Sequence, residues 1–155
     1  MNSERILAIP TDECFHLLAS TTVGRVALTR KALPVILPVN YAVDGDTVVI
    51  RTRPGSLLAS SRERGVVVAF EVDELDRETC SGWSVLVTGT LREITDVGEL
   101  ARAEQLPLVP WVGGDRRHFV RITPGMVSGR RIPSAVWSDA TDDETRALAA
   151  TGGKA

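Results

Sequence analysis

The rhythm of apolar and polar positions changes once along this chain. In "IPTDECFHLLAS", Phe15, Leu18 and Ala19 recur at helical spacing, with Thr11 placed as an N-cap and Asp12 and Glu13 at the positive end of the helix dipole. From Gly24 onward the period shortens. "GRVALTR", "PVILPVNYAV", "DTVVIRTR", "GVVVAFEVDEL" and "GWSVLVTGTLREI" are rich in valine, isoleucine and threonine, with "DGD" and "RPGS" as turns between them, so strands are predicted. Trp83, Val85 and Val87 alternate with Ser84, Leu86 and Thr88, as in a strand with two different faces, whereas Val66 to Phe70 is apolar throughout and predicts a strand covered on both. A closed or nearly closed barrel satisfies both patterns. Pro38, within a strand-like run, predicts a bulge or an unpaired position.

Beyond these strands, "DVGELARAEQL" predicts a short helix and "PLVPWVGGDRR" a loop. "HFVRITPGMVSGRRI" predicts one or two late strands around a Pro-Gly turn. From Ser138 the chain is polar and small, with "TDDE" as a capping box for a short terminal helix. The expected organisation is one domain over residues 1–137 and a polar tail over 138–155. No internal repeat is present.

Composition narrows the function classes. With 155 residues and 43% apolar content the chain fills one core, and a formal net charge of −2 gives no overall attraction to nucleic acid or an anionic membrane. No signal-type segment or apolar run of bilayer length occurs, so a cytoplasmic protein is expected, with neither nucleic acid nor membrane as partner. Cys14 and Cys80 share no ligand spacing with each other or with a histidine, and Cys14 reads as a core residue. Glu71, Asp73, Glu74 and Asp76 read as a solvated strand end, and His16 as a partly exposed helix residue. His118 stands beside Arg116 and Arg117 at a strand start. No triad or Walker-type arrangement is present.

The stretch "RTRPGSLLAS", Arg51 to Ser60, has two readings. As a strand end, a Pro-Gly turn and the first turn of a helix, it presents N–H groups and hydroxyls to a phosphate. As a plain turn, it sends leucines from a surface helix into the core.

The order of segments resembles the FMN-binding split β-barrel proteins related to pyridoxamine 5′-phosphate oxidase, in the branch that includes the nitroimidazole-resistance proteins. The similarity runs from about Leu7 to Ile132, with "AFEVDELDRETCSGWSVLVTG" its most specific part and "VGR" and "GRRI" weaker marks. It implies a mainly β fold with short helices: a six-stranded Greek-key split barrel that forms a homodimer, with FMN in clefts between the subunits. It further implies flavin contacts at Asn40, Arg51, Thr52, Ser56, Trp83 and Ser84, the last two facing the flavin ring, with Arg130 or Arg131 beside the same cleft.

One departure bears on the cofactor. Relatives carry basic side chains just after the serine of the phosphate turn, where this chain has Leu57 and Leu58. A lost charge-assisted hydrogen bond of ~1.5–3 kcal/mol weakens binding by roughly ten- to a hundredfold unless replaced, and Arg51, Arg53, Arg62 and Arg64 are the candidate replacements. The resemblance therefore implies an FMN-dependent oxidoreductase acting on a small organic acceptor. A deazaflavin-dependent reductase and a non-catalytic dimer binding flavin or haem are the alternatives, haem requiring His16 or His118 as axial ligand.

Overall fold

The computed structural model describes residues 6–59, 65–109 and 118–134. Seven strands and two helices follow in the order β1 (Leu7–Ile9), α1 (Thr11–Ser20), β2 (Val23–Arg30), β3 (Leu33–Asp44), β4 (Thr47–Thr52), β5 (Val66–Asp76), β6 (Ser81–Glu93), α2 (Val97–Glu104) and β7 (His118–Ile132). All strands pair antiparallel in one sheet of order β1-β7-β4-β3-β2-β5-β6, and β6 returns to β7, so the sheet closes into a ring. The six expected strands leave out β1, whose three residues pair along the far half of β7, from Leu7 opposite Arg131 to Ile9 opposite Gly129.

Closure gives each strand an inner and an outer face. Val26, Val48, Ile50, Val68, Phe70, Val85, Val87, Val120 and Ile122 fill the interior. Helix α1 packs on this core through Cys14 and Leu18, both fully buried. Its N-cap is Pro10 rather than Thr11, which begins the helix, and Ala19 is exposed although its spacing placed it with Phe15 and Leu18. Tyr41, on β3, anchors the helix end. Its hydroxyl bonds the Leu18 carbonyl and lies 2.7 Å from the Thr21 hydroxyl, and its ring meets Phe70 edge-on. Helix α2 covers part of the outer face instead. Asp96 caps it by accepting from the Glu99 N–H at 2.9 Å, and Leu100, Ala103, Leu106 and Leu108 pack on Ala42, Val49 and Phe119.

Four local expectations are corrected. The run Val66–Phe70 is not covered on both faces, for Val68 and Phe70 turn inward while Val67 is 72% exposed on the outside of the ring. Pro38 interrupts nothing, since the β2–β3 register runs unshifted through its pairing with Arg25. Pro124-Gly125 is no turn. The strand continues through it as a one-residue bulge: Thr88 pairs with Met126 and Gly89 with Pro124, which leaves Gly125 unpaired, and a Cβ on Gly89 would stand 2.3 Å from the Thr123 carbonyl oxygen. After Arg51-Thr52 the chain forms successive turns to Ala59 rather than a helix, with Gly55 at φ +70°. Arg62, Arg64, Arg116, Arg117, most of the "PLVPWVGGDRR" loop and the tail over 138–155 lie outside the described residues. None of the described helices is long and apolar enough to cross a membrane.

Candidate functional site

Among the described residues two clefts on the ring concern the expected site, and its residues, Ser84 apart, divide between them. The first, of about 390 Å³, lies where β3 leaves β2 and turns to β4. Asn40, Arg51 and Thr52 line it from the strands and Arg53 and Ser56 from the turn, while Val23, Leu37, Pro38, Val39, Leu57 and Leu58 form an apolar wall. Among the described residues no carboxylate lines it. Anions are therefore favoured there on charge alone.

Four polar side chains of this cleft are held by neighbours. The Arg51 guanidinium carbon stands 5.6 Å from the centroid of the Phe119 ring, a cation–π contact on the face that α2 covers. Asn40 donates from Nδ2 to the Val109 carbonyl at 3.0 Å, leaving its amide oxygen as an acceptor. Thr52 Oγ1 and Ser56 Oγ lie 2.7 Å apart, and Ser56 Oγ also accepts from the Ala59 N–H at 3.1 Å. One of the two hydroxyl protons serves the mutual bond and the other stays available to a ligand. The leucines after the serine have separate fates. Leu58 is buried in the core, whereas Leu57 is half-buried and packs against its edge.

The second cleft, of about 400 Å³, sits at the end of the ring marked by the β5–β6 turn. Trp83, Arg131, Glu74, Asp76, Ser81 and Ile132 are among its lining residues. Trp83 points inward with Val85 and is nearly buried, and Arg131, its cross-strand neighbour, is bound 2.5 Å from Glu13 on α1. Asp76 is held below the usual carboxylate range, first by the Thr79 side chain and then by the N–H groups of Thr79 and Glu78.

Ser84 lines neither cleft. It faces outward between Asp73 and Arg130, its cross-strand neighbours. Nearby, Arg25 bridges Glu71 at 3.2 Å and Asp73 at 2.6 Å, and Glu71 is raised above its ordinary pKa by burial and by Asp73. The four acidic residues read as one solvated strand end thus form an ion-paired half and a cleft-lining half. His118 is cross-strand from Thr52 and bonds Glu93 through Nδ1 at 2.8 Å, while His16 is exposed on α1. Neither histidine is among the described lining residues of these two clefts.

Sequence reasoning did not single out Phe119 beneath Arg51, Val109 against Asn40 or Glu13 against Arg131. No local motif marks them, because each contact joins segments dozens of residues apart.

Comparisons agree with this geometry. The sequence profile of the family described as pyridoxamine 5′-phosphate oxidase matches residues 10–131. The uncharacterized protein Rv0080 of Mycobacterium tuberculosis is 42% identical over 135 residues, covering 84% of this chain and 88% of that protein. Among solved structures, the FAD binding protein from Mycobacterium smegmatis is 36% identical with a TM-score of 0.71, covering 81% of this chain and 98% of its own. A FAD-binding protein from Mesorhizobium loti is 25% identical with a TM-score of 0.70, covering 83% and 99%. With its ring-closed sheet and a profile match over most of its length, the chain belongs to the pyridoxamine 5′-phosphate oxidase family.

Proposed function

We propose that this protein binds a flavin in the Asn40–Arg51–Ser56 cleft, that FAD is the preferred form, and that the bound flavin makes it an oxidoreductase for a small organic acceptor. The observation that carries this reading is the cleft's lining: two arginines, an amide and a hydroxyl pair against an apolar wall. Arg51 and Arg53 would hold phosphate oxygens, with the spare Thr52 or Ser56 proton and the turn's backbone adding hydrogen bonds. The flavin supplies the hydride and electron chemistry, and the chain has only to bind, orient and shield it.

The leucines favour FAD over FMN. A terminal phosphate monoester concentrates nearly two negative charges at one end, and Leu57 and Leu58, directly after Ser56, offer no cation to meet them. In FAD the two phosphates form a diphosphate, each with one ester bond, the shared anhydride bond and about one charge, and the adenosine beyond them has an apolar face to lay on Leu37, Val39 or Leu57. Relatives described as FAD-binding support the same choice. Equilibrium titration of the flavin-free protein tests it: FAD should bind at least about tenfold tighter than FMN, and Arg51→Ala should weaken FAD by roughly ten- to a hundredfold. Equal or tighter binding of FMN or of a deazaflavin would overturn the choice.

A second copy of the chain belongs to this reading. Ile36, Ala27, Ala69, Thr88 and Met126 are successive cross-strand neighbours on the outside of the ring, flanked on the same face by Val67 and Leu86. Ile36, Val67, Leu86 and Met126 are exposed in the single chain. An apolar belt across five strands of a water-facing sheet is the kind of surface that a homodimer buries. In such a dimer Trp83 and Arg131 of one copy would reach the flavin cleft of the other, which accounts for their separation within a chain.

A further inference from the structure

The two clefts carry opposite charge. Among the described residues the first is lined by Arg51 and Arg53 and by no acid, whereas the second has the carboxylates of Glu74 and Asp76 at its rim, and its lining guanidinium, Arg131, is taken up by Glu13. Among the described residues no lysine or arginine pairs with Glu74 or Asp76. Asp76 Oδ1 accepts the N–H groups of Glu78 at 2.8 Å and Thr79 at 3.2 Å, bonds that fix the carboxylate as an anion without neutralising it. Behind these acids the wall is Trp83, Ile132 and Pro133. Carboxylates at the mouth of a cavity with an aromatic and aliphatic wall match a molecule that has a positive head and an apolar body, since an aromatic ring attracts a cation as the acids do.

We propose that the Trp83 cleft binds a small organic cation, of the alkylammonium or pyridinium class, and discriminates against anions of the same shape. An anionic substrate such as a phosphate ester would face two carboxylates there, with Arg131 already engaged. That this cleft seats the electron acceptor rests on the flavin reading above, because it requires a second copy to bring the flavin to it. The preference for a cation does not.

The test uses the full-length protein freed of flavin, titrated calorimetrically at low ionic strength with benzyltrimethylammonium and, separately, with benzylsulfonate. The cation should bind saturably and the sulfonate at least about tenfold more weakly. Glu74 makes none of the hydrogen bonds or ion pairs described, so Glu74→Gln and Glu74→Lys should keep the wild-type melting temperature. The first should weaken the cation about two- to fivefold, in the range of a solvent-accessible ion pair, and the second more. Trp83→Phe, which keeps an aromatic ring of weaker cation affinity, should also weaken it. Absence of cation binding, equal binding of the two probes, or indifference to both Glu74 substitutions would overturn the proposal. FAD titrated into the same preparations separates the two readings. A protein that takes FAD and ignores the cation contradicts only the cation cleft, and one that takes the cation and ignores FAD contradicts only the flavin site.

Discussion

Thr52 Oγ1 and Ser56 Oγ share a hydrogen bond of 2.7 Å across the turn that closes the first cleft, and Ser56 Oγ also accepts the Ala59 N–H. The pair is thus both a structural clasp and a ligand donor. Ser56→Ala should lower stability by about 1 kcal/mol, the usual cost of a partly buried hydrogen bond. Thr52→Ala in addition should cost less than the sum of the two single changes, because both remove the same bond. The double variant should bind FAD roughly tenfold more weakly. Thermal melts with and without FAD read both effects, and unchanged affinity in the double variant would remove these hydroxyls from the site.

Helix α2 is tied to the sheet through a buried charge. Asp44 Oδ1 lies 2.7 Å from Arg102 Nη2, and Oδ2 lies 3.1 Å from Arg121 Nη1 without forming a hydrogen bond. The Asp44 side chain is 7% exposed and that of Arg102 67%. Removing the buried partner strands Arg121, whose Nε is already without a hydrogen-bond partner, so Asp44→Ala should cost about 3 kcal/mol or more. Arg102→Ala, at the exposed end, should cost at most about 1 kcal/mol. Denaturant titration of the two variants checks this asymmetry, and equal losses would contradict it.

Tyr41 gives the fold an alkaline limit. Burial raises its phenol above the ordinary value of 10.0, so between that value and its native pKa the folded state holds a proton that the unfolded state has released. Stability from this group is therefore complete below about pH 10 and is lost as pH rises above it. Tyr41→Phe should be less stable at neutral pH by about 1–3 kcal/mol, since the Leu18 carbonyl and Thr21 lose their partner, and its melting temperature should fall less steeply above pH 10. Parallel slopes for the two proteins would show that Tyr41 is not the titrating group.

The outer belt predicts association. Met126→Glu together with Val67→Glu places charge on two exposed positions of one sheet face, so the fold should survive while the dimer dissociates. Sedimentation equilibrium should give twice the chain mass for the parent and the single mass for the variant. A parent that is monomeric at micromolar concentration and still binds flavin would contradict the proposed interface.

Much of the fold was legible because period-two alternation survives in strands with one face inside a ring, as at Trp83, Val85 and Val87. The misreadings have physical causes. Val66 to Phe70 looks covered on both sides because Val67 is apolar, yet Val67 lies on the exposed outer face of the ring. Pro124-Gly125 carries turn chemistry, but the absence of a Cβ on Gly89 lets the strands pass closely there and keep pairing. At the site, Asn40, Arg51, Thr52 and Ser56 were legible as a group because they flank one strand connection. Trp83 and Arg131 belong to a cleft at another end of the ring, and nothing in a linear pattern records that distance. Glu74 and Asp76 looked like ordinary solvated acids because the capture of Arg131 by Glu13, 118 positions away, decides the charge around them.

The most direct test of the flavin reading is the visible absorption spectrum of the freshly purified protein, with any released chromophore identified after denaturation, followed by titration of the stripped protein with FAD. The account predicts a flavin band, FAD as the released species, and saturable rebinding that Arg51→Ala weakens. A colourless protein whose spectrum and melting temperature do not respond to added FAD or FMN would contradict it.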